Sequence, residues 1–220
     1  MVGDAKGKMR DVKAATALKL LALAALAVPT VALALPAAGA KPSIVAQPAI
    51  VGISSLAVLS GTVPSGAGDQ PVRVEAKECG NTFYRLVGGV RTAPGGAWRY
   101  EATVFATTSF RVRSKGAVSR AVLVRRRAGV VLTPVPKRIF VARVPWNMRE
   151  QPMAGRVVRL ERLSASGWVT LATGKLKRVD SYSTQAHFKV VRRGLRLRAV
   201  IPKESALPCY APGVSTVIVS

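Results

Sequence analysis

Apolar and charged residues alternate with a period of two in short segments of this chain. Residues 72–77 read Val-Arg-Val-Glu-Ala-Lys, and residues 110–113 read Phe-Arg-Val-Arg. Such alternation is typical of a β-strand with one buried face and one solvent-exposed face. No segment after residue 40 sustains the 3.6-residue period of an amphipathic helix. The pattern therefore predicts an all-β fold built from short strands.

The alternating segments occur twice, in the same order. Val72-Arg73-Val74-Glu75 returns 86 residues later as Val158-Arg159-Leu160-Glu161, and Phe110-Arg111-Val112-Arg113 returns 85 residues later as Leu195-Arg196-Leu197-Arg198. A fixed spacing of this kind indicates an internal repeat. We therefore predict two tandem modules, 41–127 and 128–220.

Turn-forming residues separate the predicted strands. Pro64 to Asp69 and Pro94-Gly95-Gly96 form loops in the first module, and Ser164 to Gly167 forms one in the second. Short strands with turns at this spacing predict a β-sandwich in each module.

The segment 61–124 resembles the immunoglobulin-like, or fibronectin III-like, modules of secreted actinobacterial proteins. The resemblance rests on Val-Arg-Val-Glu, on Gly96-Ala97-Trp98-Arg99-Tyr100 and on a closing Val-Leu-Val at 122–124. The second module is similar to the same group, although Ala186 stands where the first module has Trp98. The resemblance implies two immunoglobulin-like sandwiches in an exported or surface setting, and it implies no catalytic or binding residues.

Residues 1–40 have the layout of a cleavable export signal. A basic start is followed by the uncharged run Leu20–Leu35 and by the small-residue site Ala38-Gly39-Ala40. An uncleaved membrane anchor is the competing interpretation, although Pro29 and Pro36 would interrupt its helix. We therefore expect a secreted protein, associated with the cell wall or free, with no membrane span after cleavage.

Basic residues greatly outnumber acidic ones. The whole chain has 34 Lys and Arg against 10 Asp and Glu, a formal net charge of +24. This charge attracts polyanions, so the expected partners are anionic cell-wall polymer or acidic polysaccharide. Sequence-specific recognition of nucleic acid is not expected, because the chain has no recognition helix and no aromatic residues interleaved with the basic face. The sequence does not indicate an oligomeric state.

Four arginines form the candidate polyanion-binding site. Arg111 and Arg113 share an outward strand face in the first module, and Arg196 and Arg198 share one in the second. If the modules align, the two pairs form a stripe whose forked donors suit phosphate and carboxylate.

No catalytic or cofactor site is predicted. The single histidine, His187, lies between Ala186 and Phe188 in a predicted strand, where a surface position is expected. The acids are scattered, the cysteines and the histidine are too few and too far apart for a zinc site, and no phosphate-binding loop precedes a helix. An exported hydrolase would need His187 to converge with a carboxylate and a nucleophile.

Each module holds one cysteine, Cys79 and Cys209. A disulfide is the default for two cysteines in an oxidising compartment. The immunoglobulin-like resemblance, however, implies that Cys79 lies at the pole remote from the second module. An internal bridge, a dimer bridge and two free thiols all remain open.

Trp98 and Trp168 are predicted to fill the cores of their modules. Trp146 reads as a loop or edge residue beside Arg149, where core packing and ligand contact remain alternatives.

The expected function is non-enzymatic: an adhesive, structural or binding module at the cell envelope. The alternatives are a passive spacer or scaffold and, less favoured, an exported hydrolase of unrecognised type.

Overall fold

The computed structural model describes residues 40–52, 56–145 and 153–220. All of them fall within one compact unit. The export signal predicted over residues 1–40 lies outside the described residues except for Ala40, and Trp146 and Arg149 also lie outside them. Among the described residues, no helix is long and apolar enough to span a membrane.

Nearly all of the regular secondary structure in the described residues is β-strand, which confirms the all-β sandwich prediction. The strands of the N-terminal half are β1 (Val45–Gln47), β2 (Ile50–Val51), β3 (Leu56–Thr62), β4 (Pro71–Glu78), β5 (Arg85–Arg91), β6 (Ala97–Thr103), β7 (Thr108–Ser114), β8 (Ala117–Val118) and β9 (Val122–Arg126). They form a sheet of order β1-β3-β6 and a sheet of order β2-β9-β7-β4-β5, with β8 beside β7. All pairings are antiparallel except β2 with β9.

The C-terminal half repeats this two-sheet arrangement. Its elements are β10 (Val131–Val135), β11 (Ile139–Pro145), β12 (Val157–Ser164), β13 (Gly167–Lys175), β14 (Lys177–Asp180), β15 (Ser183–Lys189), β16 (Arg196–Ile201), the short helix α1 (Lys203–Ala206), β17 (Gly213–Val214) and β18 (Ile218–Val219). One sheet has the order β10-β11-β15-β14, and the other has the order β13-β12-β16, with β17 and β18 both beside β16.

Each half has its own cluster of buried apolar side chains. In the N-terminal half, Leu59 and Trp98 from one sheet join Val74 and Phe110 from the other. In the C-terminal half, Phe140 and Phe188 from one sheet cluster with Leu160 and Leu197 from the other. The inward positions of the alternating strands therefore supply both cores.

The strand register shows which residues of the two halves correspond. Glu75 lies opposite Arg111 on β4 and β7, and Glu161 lies opposite Arg198 on β12 and β16. The counterpart of Arg111 is thus Arg198, two residues beyond the Arg196 that sequence matching indicated. A shift of two leaves every side chain on the same face, so the alternating pattern could not reveal it.

The edge strands carry matching β-bulges. On β5 the register shifts so that Val87 is the extra residue, and on β13 the extra residue is Leu171. Counting from the bulges pairs Tyr84 with Trp168, whereas the 85-residue spacing of the repeated segments would pair Phe83 with Trp168. Phe83 is exposed.

The halves differ most after the strand that carries these arginines. β7 turns into β8 through Lys115 and Gly116, both with positive φ (46° and 82°), as a tight two-residue hairpin turn requires. β16 instead reaches β17 through residues 202–212, which include α1 and Cys209. We call residues 202–212 the clasp.

The clasp binds the N-terminal half by main-chain hydrogen bonds. Ala211 N–H donates to the Arg126 carbonyl, and Thr107 N–H donates to the Cys209 carbonyl. Ala128 N–H, in the segment that joins the halves, donates to the Ala211 carbonyl. The Arg127 and Ala211 backbones form a parallel bridge. The two halves are therefore coupled by backbone pairing as well as by the chain between them.

Candidate functional site

The four predicted arginines lie on outward faces, but three of them are already engaged. Arg111 Nε donates to Glu75 Oε2 at 2.6 Å, and Arg113 Nε donates to Glu75 Oε1 at 3.2 Å. Arg198 pairs with Glu161 at 2.7 Å. The two carboxylates have little contact with solvent: the side chain of Glu75 is 15% exposed and that of Glu161 is 13% exposed. Much of the charge on these arginines is therefore neutralised within the fold.

Glu75 responds to its surroundings in two opposing ways. Burial raises its pKa, and the hydrogen bonds and charges of Arg111 and Arg113 lower it further than burial raises it, so that the pKa lies below its usual value. Glu75 is thus ionised at neutral pH and holds both arginines.

An aromatic ring covers one arginine in each half. The Arg111 guanidinium carbon lies 4.0 Å from the centre of the Tyr84 ring, and that of Arg198 lies 4.1 Å from the centre of the Trp168 ring. The Tyr84 hydroxyl is 2.8 Å from Ser109 Oγ. A carboxylate, an arginine and an aromatic ring therefore form the same trio in both sheets. Trp168 is part of this half-exposed trio, so the prediction that it fills the core is wrong; Trp98 is buried in the core.

The two arginine pairs are not equivalent. The register places Val200 at the position of Arg113, and places Ser109 at the position of Arg196. The sequence match between the two pairs is therefore off by two residues, and only Arg111 and Arg198 correspond. Arg196 is exposed beside Val219 on β18.

The N-terminal face has an excess of positive charge around Arg113. Arg73 lies directly opposite Arg113 on the paired strands, and both line a cleft of about 260 Å³ together with Pro71, Lys115 and Gly116. Among the described residues, no carboxylate pairs with Arg73 or Lys115. The cleft therefore has an excess of positive charge. Like charges directly opposite on paired strands destabilise a sheet, so Arg73 and Arg113 repel each other here.

Arg73 was not among the predicted site residues. Its outward position follows from the alternation, but only the pairing of β4 with β7 brings it against Arg113. On the C-terminal face the counterpart of Arg73 is Arg159, which forms an ion pair with Glu204 in the clasp. The cationic cleft is thus a feature of the N-terminal half.

His187 lies on the opposite face of β15 from the buried Phe188, as the alternation predicts. It lines a cleft of about 480 Å³ together with Lys175, Lys177, Val179 and Gln185. No carboxylate and no hydroxyl side chain lines this cleft. Within the described parts of the chain, no three His, Cys, Asp or Glu side chains form a group that could hold a metal ion.

Cys79 and Cys209 form a disulfide within the chain, with Cα atoms 5.2 Å apart. The expectation that Cys79 lies far from the second module is wrong. Cys79 N–H donates to the Thr107 carbonyl, and Thr107 N–H donates to the Cys209 carbonyl. The clasp brings Cys209 to the C-terminal end of β4. The expectation was based on an immunoglobulin-like module without the clasp, so it did not place the two cysteines together.

Comparison with known proteins identifies no family for this chain. No model of a known protein family matches the chain, and no curated protein matches it. Among solved structures, the chain is similar to a biofilm-associated protein, BSP domain, with a TM-score of 0.29 and 17% identity over 81% of this chain and 29% of that one. A likeness at this TM-score carries no functional argument.

Proposed function

We propose that this chain is a secreted, non-enzymatic pair of β-sandwich modules that adheres to anionic polymer of the cell envelope. The observation that carries the proposal is the cleft in which Arg73 and Lys115, which pair with no carboxylate among the described residues, meet Arg113, which shares Glu75 with Arg111. A bound phosphate or carboxylate group would relieve the repulsion between Arg73 and Arg113. Guanidinium groups suit this ligand, because their forked donors match its oxygens.

The four arginines predicted from the sequence differ in their roles in this proposal. Arg111 and Arg198 are held by a carboxylate and a ring, so they mainly organise their sheet faces. Arg113 shares Glu75 and also lines the cleft. Arg196 is exposed and adds a secondary contact on the C-terminal face. The large excess of basic over acidic residues raises the encounter rate with any polyanion.

Export is supported by two independent features. The sequence of residues 1–40 has the layout of an export signal. The Cys79–Cys209 disulfide fits an oxidising compartment, since such bridges are rare where glutathione keeps thiols reduced. Immunoglobulin-like modules would fit this setting, and the strand orders are compatible with them.

A passive scaffold is the second candidate. The clasp and the disulfide couple the two halves, and a stiff coupling suits a spacer that holds other parts apart. In that case the basic faces only keep the protein soluble. The two candidates differ in whether specific cations govern binding.

The test compares two double variants of equal net charge. Arg73→Gln with Lys115→Gln removes two cations of the cleft, and Arg120→Gln with Arg156→Gln removes two exposed cations elsewhere. Retention on anionic wall polymer is measured at about 0.15 M salt, where exposed charges further apart than about 8 Å are largely screened. We expect the cleft variant to bind roughly two- to tenfold more weakly than the control variant.

Equal retention of the two variants, or retention that is insensitive to salt, would reject adhesion through the cleft and favour the scaffold. Reversal of Arg111 or Arg198 is unsuitable as a test, because it would leave Glu75 or Glu161 facing a like charge. Loss of retention would then report a damaged sheet rather than a lost contact.

A further inference from the structure

The C-terminal half has a second cationic cleft, in a different place from the first. Lys175 ends β13 and Lys177 begins β14, and the residue between them, Leu176, is buried. Because side chains alternate along an extended chain, the two lysines project to the same exposed side. Lys177 lies opposite Gln185 in the sheet, and His187 follows Gln185 on the same face.

These side chains surround a space large enough for a ligand group. The cleft has a volume of about 480 Å³. It combines two ammonium groups, an amide and an imidazole, and Val179 supplies an apolar wall. This donor set suits an oxyanion and gives a cation no ligand of opposite charge.

The nearby carboxylate does not neutralise the cleft. Asp180 accepts hydrogen bonds from Tyr182 N–H at 2.6 Å and from Ser183 Oγ at 2.8 Å, and it lies 3.4 Å from Arg143. The bond from the Tyr182 amide, followed by that from Ser183, lowers the pKa of Asp180 below its usual value. Asp180 therefore stays ionised and engaged with its own partners.

The charged groups around His187 can be named strand by strand. Val141 lies directly opposite on β11, with Arg143 beside it opposite Gln185. Lys177, Arg178 and Asp180 lie on β14, Lys175 ends β13, and Lys189 follows on β15. All of these charges are positive except that of Asp180, which is engaged with its own partners.

We propose that the cleft lined by Lys175, Lys177, Gln185 and His187 is an oxyanion-binding site for a phosphate or carboxylate group. The choice of a polymer as the natural ligand rests on the proposed function. The site itself does not, because it shares no residue with the Arg73 cleft. In this arrangement each half of the protein has its own cationic cleft for anionic material.

The test uses the fact that His187 is the one histidine in the chain. Its imidazole gives a single set of nuclear magnetic resonance signals, which report on the cleft without any assignment. Inorganic tripolyphosphate and citrate are titrated separately into the purified protein at neutral pH. We expect a saturable movement of the imidazole signals with each anion that binds in the cleft.

Matched variants locate the site. The double variant Lys175→Gln with Lys177→Gln should weaken anion binding roughly tenfold. The control is Lys41→Gln with Lys203→Gln, which removes two exposed lysines that do not line the cleft. This control should leave anion binding unchanged. Arg73→Gln with Lys115→Gln should have no effect, which separates this site from the proposed adhesion cleft.

A response to both anions supports a general oxyanion site, and a response to tripolyphosphate or to citrate alone supports a phosphate or a carboxylate ligand, respectively. The proposal is overturned if neither anion moves the imidazole signals. It is also overturned if the Lys41 and Lys203 control weakens binding as much as the cleft variant does, since the effect is then one of net charge.

Discussion

Arg111 lies over the ring of Tyr84, with its guanidinium carbon 4.0 Å from the ring centre. The same guanidinium pairs with Glu75, and Arg198 repeats the arrangement between Glu161 and Trp168. An arginine held between a ring and a carboxylate already has an oriented guanidinium group. It therefore loses little side-chain conformational entropy when it contacts another group. The outward faces of both halves are therefore ordered surfaces despite their charge.

The first prediction concerns acid stability. Glu75 has a lowered pKa in the folded chain, so it contributes stability that is present above its unfolded value, near 4.5, and is lost as the pH falls through the folded value. We expect the free energy of unfolding to fall below about pH 4.5, with a flatter acid limb in Glu75→Gln. Urea unfolding at a series of pH values measures this, and parallel acid limbs in both proteins would contradict it.

The second prediction concerns the Glu161–Arg198 pair. Its side chains are 13% and 25% exposed, whereas those of Asp69 and Arg91 are 81% and 66% exposed. Hydrogen bonds to charged groups with little solvent contribute about 1.5–3 kcal/mol, and exposed pairs contribute about 1 kcal/mol or less. Double-mutant cycles with Gln at each position should therefore give a clearly larger coupling energy for Glu161–Arg198. Equal coupling energies would show that the covered pair gains nothing from its surroundings.

The third prediction concerns the disulfide. Cys79 and Cys209 close a loop with a sequence separation of 130, and a loop of about this length is expected to stabilise the folded state by roughly 4–5 kcal/mol. Cys79→Ser with Cys209→Ser should lower the urea midpoint accordingly. Wild-type protein treated with a reductant should behave in the same way as the double variant. An unchanged midpoint in both cases would mean that the main-chain bonds of the clasp hold the halves together without the bridge.

The fourth prediction concerns the fit of the clasp at Gly213. A Cβ built on Gly213 would lie 1.9 Å from the Ala128 carbonyl oxygen, so Gly213→Ala must push the C-terminal end of the clasp away from Ala128. We expect a loss of about 1–3 kcal/mol in the free energy of unfolding. Gly89→Ala is the matched control, because its Cβ would lie 3.3 Å from the Val72 carbonyl oxygen. A loss no greater than that of the control would argue against close packing at this point.

The fold class was readable from the sequence because alternation with a period of two is a local signal. Val72, Val74 and Phe110 were expected to point inward, and they are buried. The exact register was not readable, since matching Phe110 to Leu195 or to Leu197 satisfies the same alternation. Pairing of Glu75 with Arg111 and of Glu161 with Arg198 resolves it.

The candidate sites were only partly predictable, because they depend on contacts between distant strands. Arg113 was predicted, but its neighbour Arg73 belongs to another strand and joins it only through the sheet. His187 was expected at the surface, but Lys175 and Lys177 approach it from the chain reversal between β13 and β14. The disulfide could not be predicted, because it depends on the clasp. The length and docking of the clasp follow no pattern that is repeated in the first half.

The clasp also sets an order of events during synthesis. The N-terminal half of a chain is made first and folds first, and Cys79 exists well before its partner, which is 130 residues further on. The first sandwich must therefore form with an unpaired thiol beside Thr107. Until residues 202–212 arrive, that thiol has no partner within its own chain, so we expect disulfides between chains to be the main by-product when the protein folds under oxidising conditions.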